Sequence, residues 1–235
     1  MSWNLDRTRL LVKQLYGEDQ LDLAENSLHS IHRRKLMARY HWQEFKLLHE
    51  KRMQRFHESV HPMIAFLDEF GRGTGAHGIA TQAHLLGCLQ NLHAMADTFD
   101  FAVYYLLKLG SPIDPRSITG SFVSKALTKD PKYGAVLKAS NVLRKGGNFV
   151  HLDALVNHAK HRSIINVPFS VDASGEDPNP YRFEFEAFSF GSVDYDRTEV
   201  LPFVGTEGDR CFAQILVAGN AVNDVLELEA ASSSP

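Results

Sequence analysis

The sequence predicts a mainly α fold: an antiparallel helical bundle with a small antiparallel β-hairpin or sheet inserted before the last helix. Three observations carry this. Leu85, Leu89, Leu92, Ala96, Phe99, Val103 and Leu106 alternate by four and three residues, the 3.5-residue period of a bundle seam. Leu28, Ile31, Ala38, Trp42, Phe45, Phe56, Val60, Met63 and Leu67 are spaced by sums of threes and fours, which makes a second buried stripe. After residue 163 the pattern changes to "SIINVPFSV" and "YRFEFEAFSF", rich in β-branched and aromatic residues, with Phe183 and Phe185 alternating with Glu184 and Glu186.

The elements follow in order. A short amphipathic helix is expected over residues 4–16, stopped by Gly17. Asn26 or Ser27 caps the first long helix, with a kink or break at Pro62, which lacks a backbone donor. "GRGTGAHG" (71–78) is a turn into the second long helix, which runs to about Leu109, so the two form an antiparallel hairpin. "GSPIDP" ends it. Asp130-Pro131 starts a further helix and "KGG" at Lys145–Gly147 stops it. Asn148 caps another from Phe149 to about Arg162, buried on Leu152, Leu155, Val156 and Ala159. "DASGEDPNP" is a loop between strands, and Gly191-Ser192 is a two-residue hairpin turn with "VDYDRTEV" returning. Thr206 caps the last helix, with Phe212, Ile215, Gly219, Val222 and Leu226 inward. The reading is a single domain over 1–230, a helical bundle from 1–163 and 205–230 with a β insertion at 164–204. The tail at 231–235 is expected to be disordered.

The bulk numbers narrow the function classes. The chain has 235 residues, 44% hydrophobic and 23% charged, with a formal net charge of −3. This is ordinary globular composition. It excludes a strongly basic nucleic-acid footprint but leaves room for a local patch. Cys88 and Cys211 are the only cysteines, so neither a disulfide framework nor a CxxC metal site is present. The N-terminus lacks a secretory apolar core. The most apolar run, "FAVYYLLKLG", is about half the length needed to span a bilayer. A soluble, cytoplasmic, reduced protein without a membrane partner or cofactor is expected.

Histidine is the unusual count: twelve, nine of them in the first 93 residues. Three constellations follow. "HESVH" matches HExxH, which on a helix would aim His57 and His61 at a zinc ion, with Asp68 near the same azimuth. The continuation needed for a metalloprotease of that kind is missing, and a pair of half-exposed helix histidines explains the pattern without a metal. Gln90, His93, Asp97, Asp100 and Tyr104 form a polar stripe beside the seam: an inward network, or a flank that solvent or a neighbouring helix satisfies. In "LDALVNHAKHRSII", Asp153, Asn157 and His161 step by four along one face. An asparagine can orient a histidine, and the histidine can act as general acid or base. Lys160, Arg162 and His158 stand beside them to hold a phosphate. The plainer explanation is that cations suit a helix carboxyl end.

The middle helix "LLGCLQNLHAMADTFDFAVYYLL" and the Asn157-x3-His161 face resemble the HEPN superfamily of small helical bundles. The likeness is closer to its uncharacterised bacterial members than to its active ribonucleases. HEPN ribonucleases carry an arginine, a polar residue that is often asparagine, three variable residues and a histidine. The resemblance implies a homodimer that brings two copies of the motif together over RNA, in a defence or toxin–antitoxin setting. Asn157 and His161 would then be catalytic, with Lys160, Arg162 and His158 on the substrate and no metal. Val156 stands where the active members have arginine, so Lys160 or Arg162 would have to take its place. Two other classes remain open on the sequence: a non-catalytic binding or assembly module, and a metal-dependent bundle enzyme using His57, His61 and His93.

Overall fold

A computed structural model describes residues 2–58, 76–110, 113–172, 176 and 181–233, apart from the side chains of residues 57, 76 and 77. Among them are seven α-helices and five short strands. The helices are α1 (Leu5–Tyr16), α2 (Glu18–Glu58), α3 (Ala76–Leu106), α4 (Gly120–Leu127), α5 (Gly134–Lys145), α6 (Phe149–His161) and α7 (Val200–Ser232). The strands are β1 (Phe169–Val171), β2 (Tyr181–Phe185), β3 (Phe188–Phe190), β4 (Val193–Tyr195) and β5 (Thr198–Glu199). The mainly α architecture with a small antiparallel sheet before the last helix is the one expected.

The chain packs as two compact units. The first holds residues 1–35, 92–150 and 206–235; the second holds 36–91 and 151–205.

In the first unit, Asn4 caps α1 by accepting from Arg7 N at 3.0 Å, and Gly17 at φ +89° ends it. α2 starts at Glu18, well before the expected cap at Asn26 or Ser27. Glu18 and Asp19 favour that start through the helix dipole, and Leu21 and Ala24 extend the buried stripe backwards. Gln20 Nε2 donates to Tyr105 O and Arg34 Nε to Thr98 Oγ1, so α2 and α3 run antiparallel here. Every seam residue from Leu92 to Leu106 is buried.

Helix α4 has no counterpart among the expected elements. Eight residues barely establish a helical period, and Thr119, which accepts from Phe122 N at 3.3 Å, is its one local signal. Asp130 caps a 3₁₀ turn at Pro131 that runs into α5, and Gly147 at φ +55° lies just past the end of α5. α7 starts at Val200 rather than at a Thr206 cap. Pro202 fits a first turn because no intrahelical donor is needed there. Val200, Phe203 and Val204 are buried, which offsets the roughly 1 kcal/mol that Gly205 costs inside a helix. The helix also continues through Ser232, into the tail expected to be disordered.

In the second unit, β1, β2 and β5 make an antiparallel sheet in the order β1-β2-β5, with Phe169 opposite Phe183 and Phe185 opposite Thr198. β3 and β4 pair separately, Phe190 opposite Val193, around Gly191 at φ +64°. Period two puts Phe183 and Phe185 inward, as expected. Phe56 stacks on Phe169 and Tyr181, Phe45 meets Phe183, and the Arg52 guanidinium lies 4.5 Å from the Phe169 ring centroid. The first strand begins only at Phe169; residues 163–168 are irregular, with backbone bonds from Glu184 N to Pro168 O, from Glu186 N to Asn166 O and from Ser163 N to His158 O. His61, Val60, Pro62, Met63, Leu67, Asp68 and the glycines at 71–75 lie outside the described residues.

Candidate functional site

Helix α6 carries the Asn157–His161 face within the second unit. Leu152, Leu155 and Val156 point inward and polar residues line the other side. Val156 is 1% exposed. The position at which the resembled ribonucleases place arginine is therefore core, with no room for a solvated guanidinium.

Asn157 Nδ2 donates to Asp153 Oδ1 at 3.0 Å, one turn back, rather than towards His161. His158 turns towards the hairpin. Its Nδ1 donates to Ser163 O at 2.6 Å, and its ring contacts Phe188 and Phe190 edge-on. Arg162 is exposed, with Nη1 donating to Ser189 O at 3.2 Å and its guanidinium 5.1 Å from the Phe190 ring centroid. Lys160 and His161 are exposed, and their side chains make no hydrogen bond or ion pair among the described residues. The helix end thus presents three consecutive cationic or imidazole groups beside an aromatic ring. Of the five candidates, His158 and Arg162 hold the hairpin, Asn157 is bound locally, and Lys160 and His161 face solvent.

The polar stripe of α3 divides. Gln90 and Asp97 are exposed, whereas His93, Asp100 and Tyr104 are buried. Arg144 at the end of α5 closes the network in the first unit. It donates to Asp100 Oδ2 at 2.5 Å and Asp97 Oδ1 at 2.8 Å. His93 Nδ1 lies 3.9 Å from Asp97 Oδ2, and its ring stacks on Phe149. Gly120 is required beside this group: a Cβ there would sit 2.7 Å from Asp100 Oδ2 and 2.8 Å from Arg144. Burial raises the Asp100 carboxyl above its usual range, Arg144 opposing. Next to Asp97 lies a shallow pocket of about 340 Å³ lined by Asn26, Ser27, Ser30, Arg34 and Phe101 among others.

A second buried network, equally unforeseen, joins Glu207, Arg210 and Cys211 of α7 to the α5–α6 turn. Its sequence signal was an i,i+3 Glu–Arg pair on the inward stripe that holds Ile215 and Val222.

No family model, curated protein or solved structure matches the chain. No helix among the described residues is long and apolar enough to cross a membrane. The HExxH pair cannot be placed: the His57 side chain and all of His61 fall outside the described residues. Among the described residues, no group of three or more His, Cys, Asp or Glu side chains converges as a metal site. Both cysteine thiols are pushed up to about 12, chiefly by burial, which keeps them protonated and unreactive at neutral pH.

Three histidines of the second unit have depressed pKa values. Burial is the main cause at His41, with His84 adding to it; burial dominates at His49 and is the cause at His151. His151 is enclosed by Tyr195, Phe203 and Phe188 at ring-centroid distances of 4.8, 4.9 and 5.7 Å. The unfolded chain therefore binds more protons than the folded one below the ordinary histidine value of about 6.5. Their contribution is complete above that pH and is lost as pH falls through the depressed folded values. Urea midpoints are expected to fall from pH 7.5 to pH 5.5, and the drop should shrink in His151→Phe. An equal drop in the variant would remove His151 from the effect.

Proposed function

We propose that this chain is a HEPN-like helical-bundle protein that binds RNA at the carboxyl end of α6. One observation carries the reading: Lys160, His161 and Arg162 emerge consecutively and exposed, with the Arg162 guanidinium set against Phe190. Two cations meet phosphates there, and the aromatic side of the hairpin offers a flat partner for an unpaired base. The net charge of −3 argues for such a local patch rather than a basic face. A single copy supports binding rather than cleavage, because Asn157 is engaged by Asp153 and Val156 replaces the arginine. The resembled family acts as dimers, and a homodimer that sets two His161 side chains over one RNA is part of this proposal.

Fluorescence anisotropy with a labelled single-stranded RNA tests it. The Lys160→Ala/His161→Ala/Arg162→Ala variant removes the exposed cations; because Arg162 also donates to Ser189 O, Lys160→Ala/His161→Ala, which leaves that hairpin contact in place, is measured beside it. Affinity is expected to drop about tenfold, with the slope of log K against log salt shallower by about 1.4 for two lost single-strand contacts. An unchanged slope would take the site off α6. Metal-free incubation with total RNA reads cleavage separately; cleavage lost in His161→Ala would give this histidine a chemical role as well. Light scattering at the same concentrations reads the dimer, and a monomer removes that part.

A further inference from the structure

Away from α6, the second unit brings together two histidines from different helices. His41 on α2 and His84 on α3 face each other with Nδ1 atoms 3.1 Å apart, ring centroids 5.3 Å apart and planes tilted by 51°. Tyr40 meets both rings edge-on. We propose that His41 and His84 together chelate a divalent transition-metal ion through their Nδ1 atoms.

The separation is that of a chelate. Metal–imidazole bonds of about 2.0–2.1 Å meeting at roughly 90–109° set the two nitrogens about 2.9–3.4 Å apart. The centroid and nitrogen separations set the two Nδ1 atoms nearly head-on, so each ring turns by about 40° to aim its lone pair at one ion. Without metal, one ring donates its Nδ1 proton to the other; on binding, that ring becomes the Nε2–H tautomer and the ion takes the proton's place at Nδ1.

The backbone is shaped for this placement. Gly87, one turn after His84 on α3, lies against the His41 ring. A Cβ there would come within 2.8 Å of Nε2 and 2.9 Å of Cδ2 and Cε1. Any larger residue at 87 moves the ring off the pair. No third His, Cys, Asp or Glu side chain among the described residues joins the two, so water completes the shell. A nitrogen pair with open positions favours Cu²⁺, then Ni²⁺ and Zn²⁺. The ion would cross-link α2 to α3 and stabilise the fold by mass action.

The test uses the full chain stripped with EDTA and titrated calorimetrically with CuCl₂ and NiCl₂ at pH 7.5. Electron paramagnetic resonance of the copper form counts the bound nitrogens. The expected result is one ion per chain at this pair, with superhyperfine splitting from two imidazole nitrogens. His41→Ala and His84→Ala should each weaken it by about tenfold or more and abolish the two-nitrogen pattern. Gly87→Ala should weaken it with both histidines present, and His32→Ala, an exposed position on α2, should leave it intact. Binding should fall at pH 5.5, where protons compete. If an alanine variant fails to fold by circular dichroism, His41→Gln and His84→Gln preserve bulk and serve instead. Wild-type chain that binds no ion overturns the proposal; so does binding that survives both histidine substitutions unchanged, which would place the ion elsewhere among the twelve histidines.

Discussion

Arg210→Ala is expected to cost about 3–5 kcal/mol, the range for breaking a buried ion pair from one side. Glu207 is 1% exposed, and Arg210 satisfies both its oxygens, with Nε on Oε2 at 2.9 Å and Nη2 on Oε1 at 2.5 Å. The carboxylate also accepts from Asn148 N at 3.0 Å and from Cys211 Sγ at 3.3 Å. Arg210 further donates to Val142 O, which also accepts from Gly146 N at 3.0 Å, and to Leu143 O in the last turn of α5. Gly147 lies so close that a Cβ would sit 2.6 Å from Arg210 Cδ. Removing the guanidinium strands a buried charge and takes the Leu143 carbonyl's partner with it. At about 2–4 °C per kcal/mol for a chain of this size, the melting temperature should fall by roughly 6–20 °C. Adding Glu207→Gln to Arg210→Ala should recover part of the loss, a non-additivity expected when two groups share one network. A loss below about 1 kcal/mol, the range of exposed pairs, would show that the charge is solvated.

Arg144→Ala should have the next largest effect, and its dependence on pH separates it from the first. Asp100 is 3% exposed, and its carboxyl is already raised by burial despite Arg144. Without the guanidinium it rises further and takes up a proton on folding. A carboxyl with a raised folded pKa binds more protons folded than unfolded, so its contribution falls as pH rises through the folded value. The gap between wild type and Arg144→Ala should therefore be wide at pH 7.5, about 3 kcal/mol, and narrow towards pH 5. Asp100→Asn should be far milder at pH 7.5, because an amide removes the charge that needs the arginine. Urea denaturation at the two pH values decides it. A gap that is constant with pH would mean that Arg144 acts through packing alone.

These two networks mark where the sequence stops being readable. The seam from Leu85 to Leu106, the alternation at Phe183 and Phe185 and the Gly191 turn follow from local period and backbone sterics, and each stands where expected. Boundaries were harder. α2 and α7 begin earlier than their best capping residues because buried Leu21, Ala24, Val200 and Phe203 outweigh a cap of about 1 kcal/mol. Helix α4 was not legible, since its eight residues are held by burial of Val123, Ala126 and Leu127.

The candidate site divides in the same way. Helical spacing alone puts Asn157 and His161 on one face and gathers cations at the end of α6. It also makes Val156 a core position. Spacing cannot show that the Asn157 amide turns back to Asp153, or that Arg162 leans on Phe190. Nor can it pair Arg144 with Asp100, 44 residues away in the chain, or His41 with His84, 43 residues apart. Hydrophobic period is written in consecutive residues, because one face of one element must be apolar for that element to be buried. Polar partnership is not, because a buried charge requires only that some opposite charge arrive, and packing alone decides which one does.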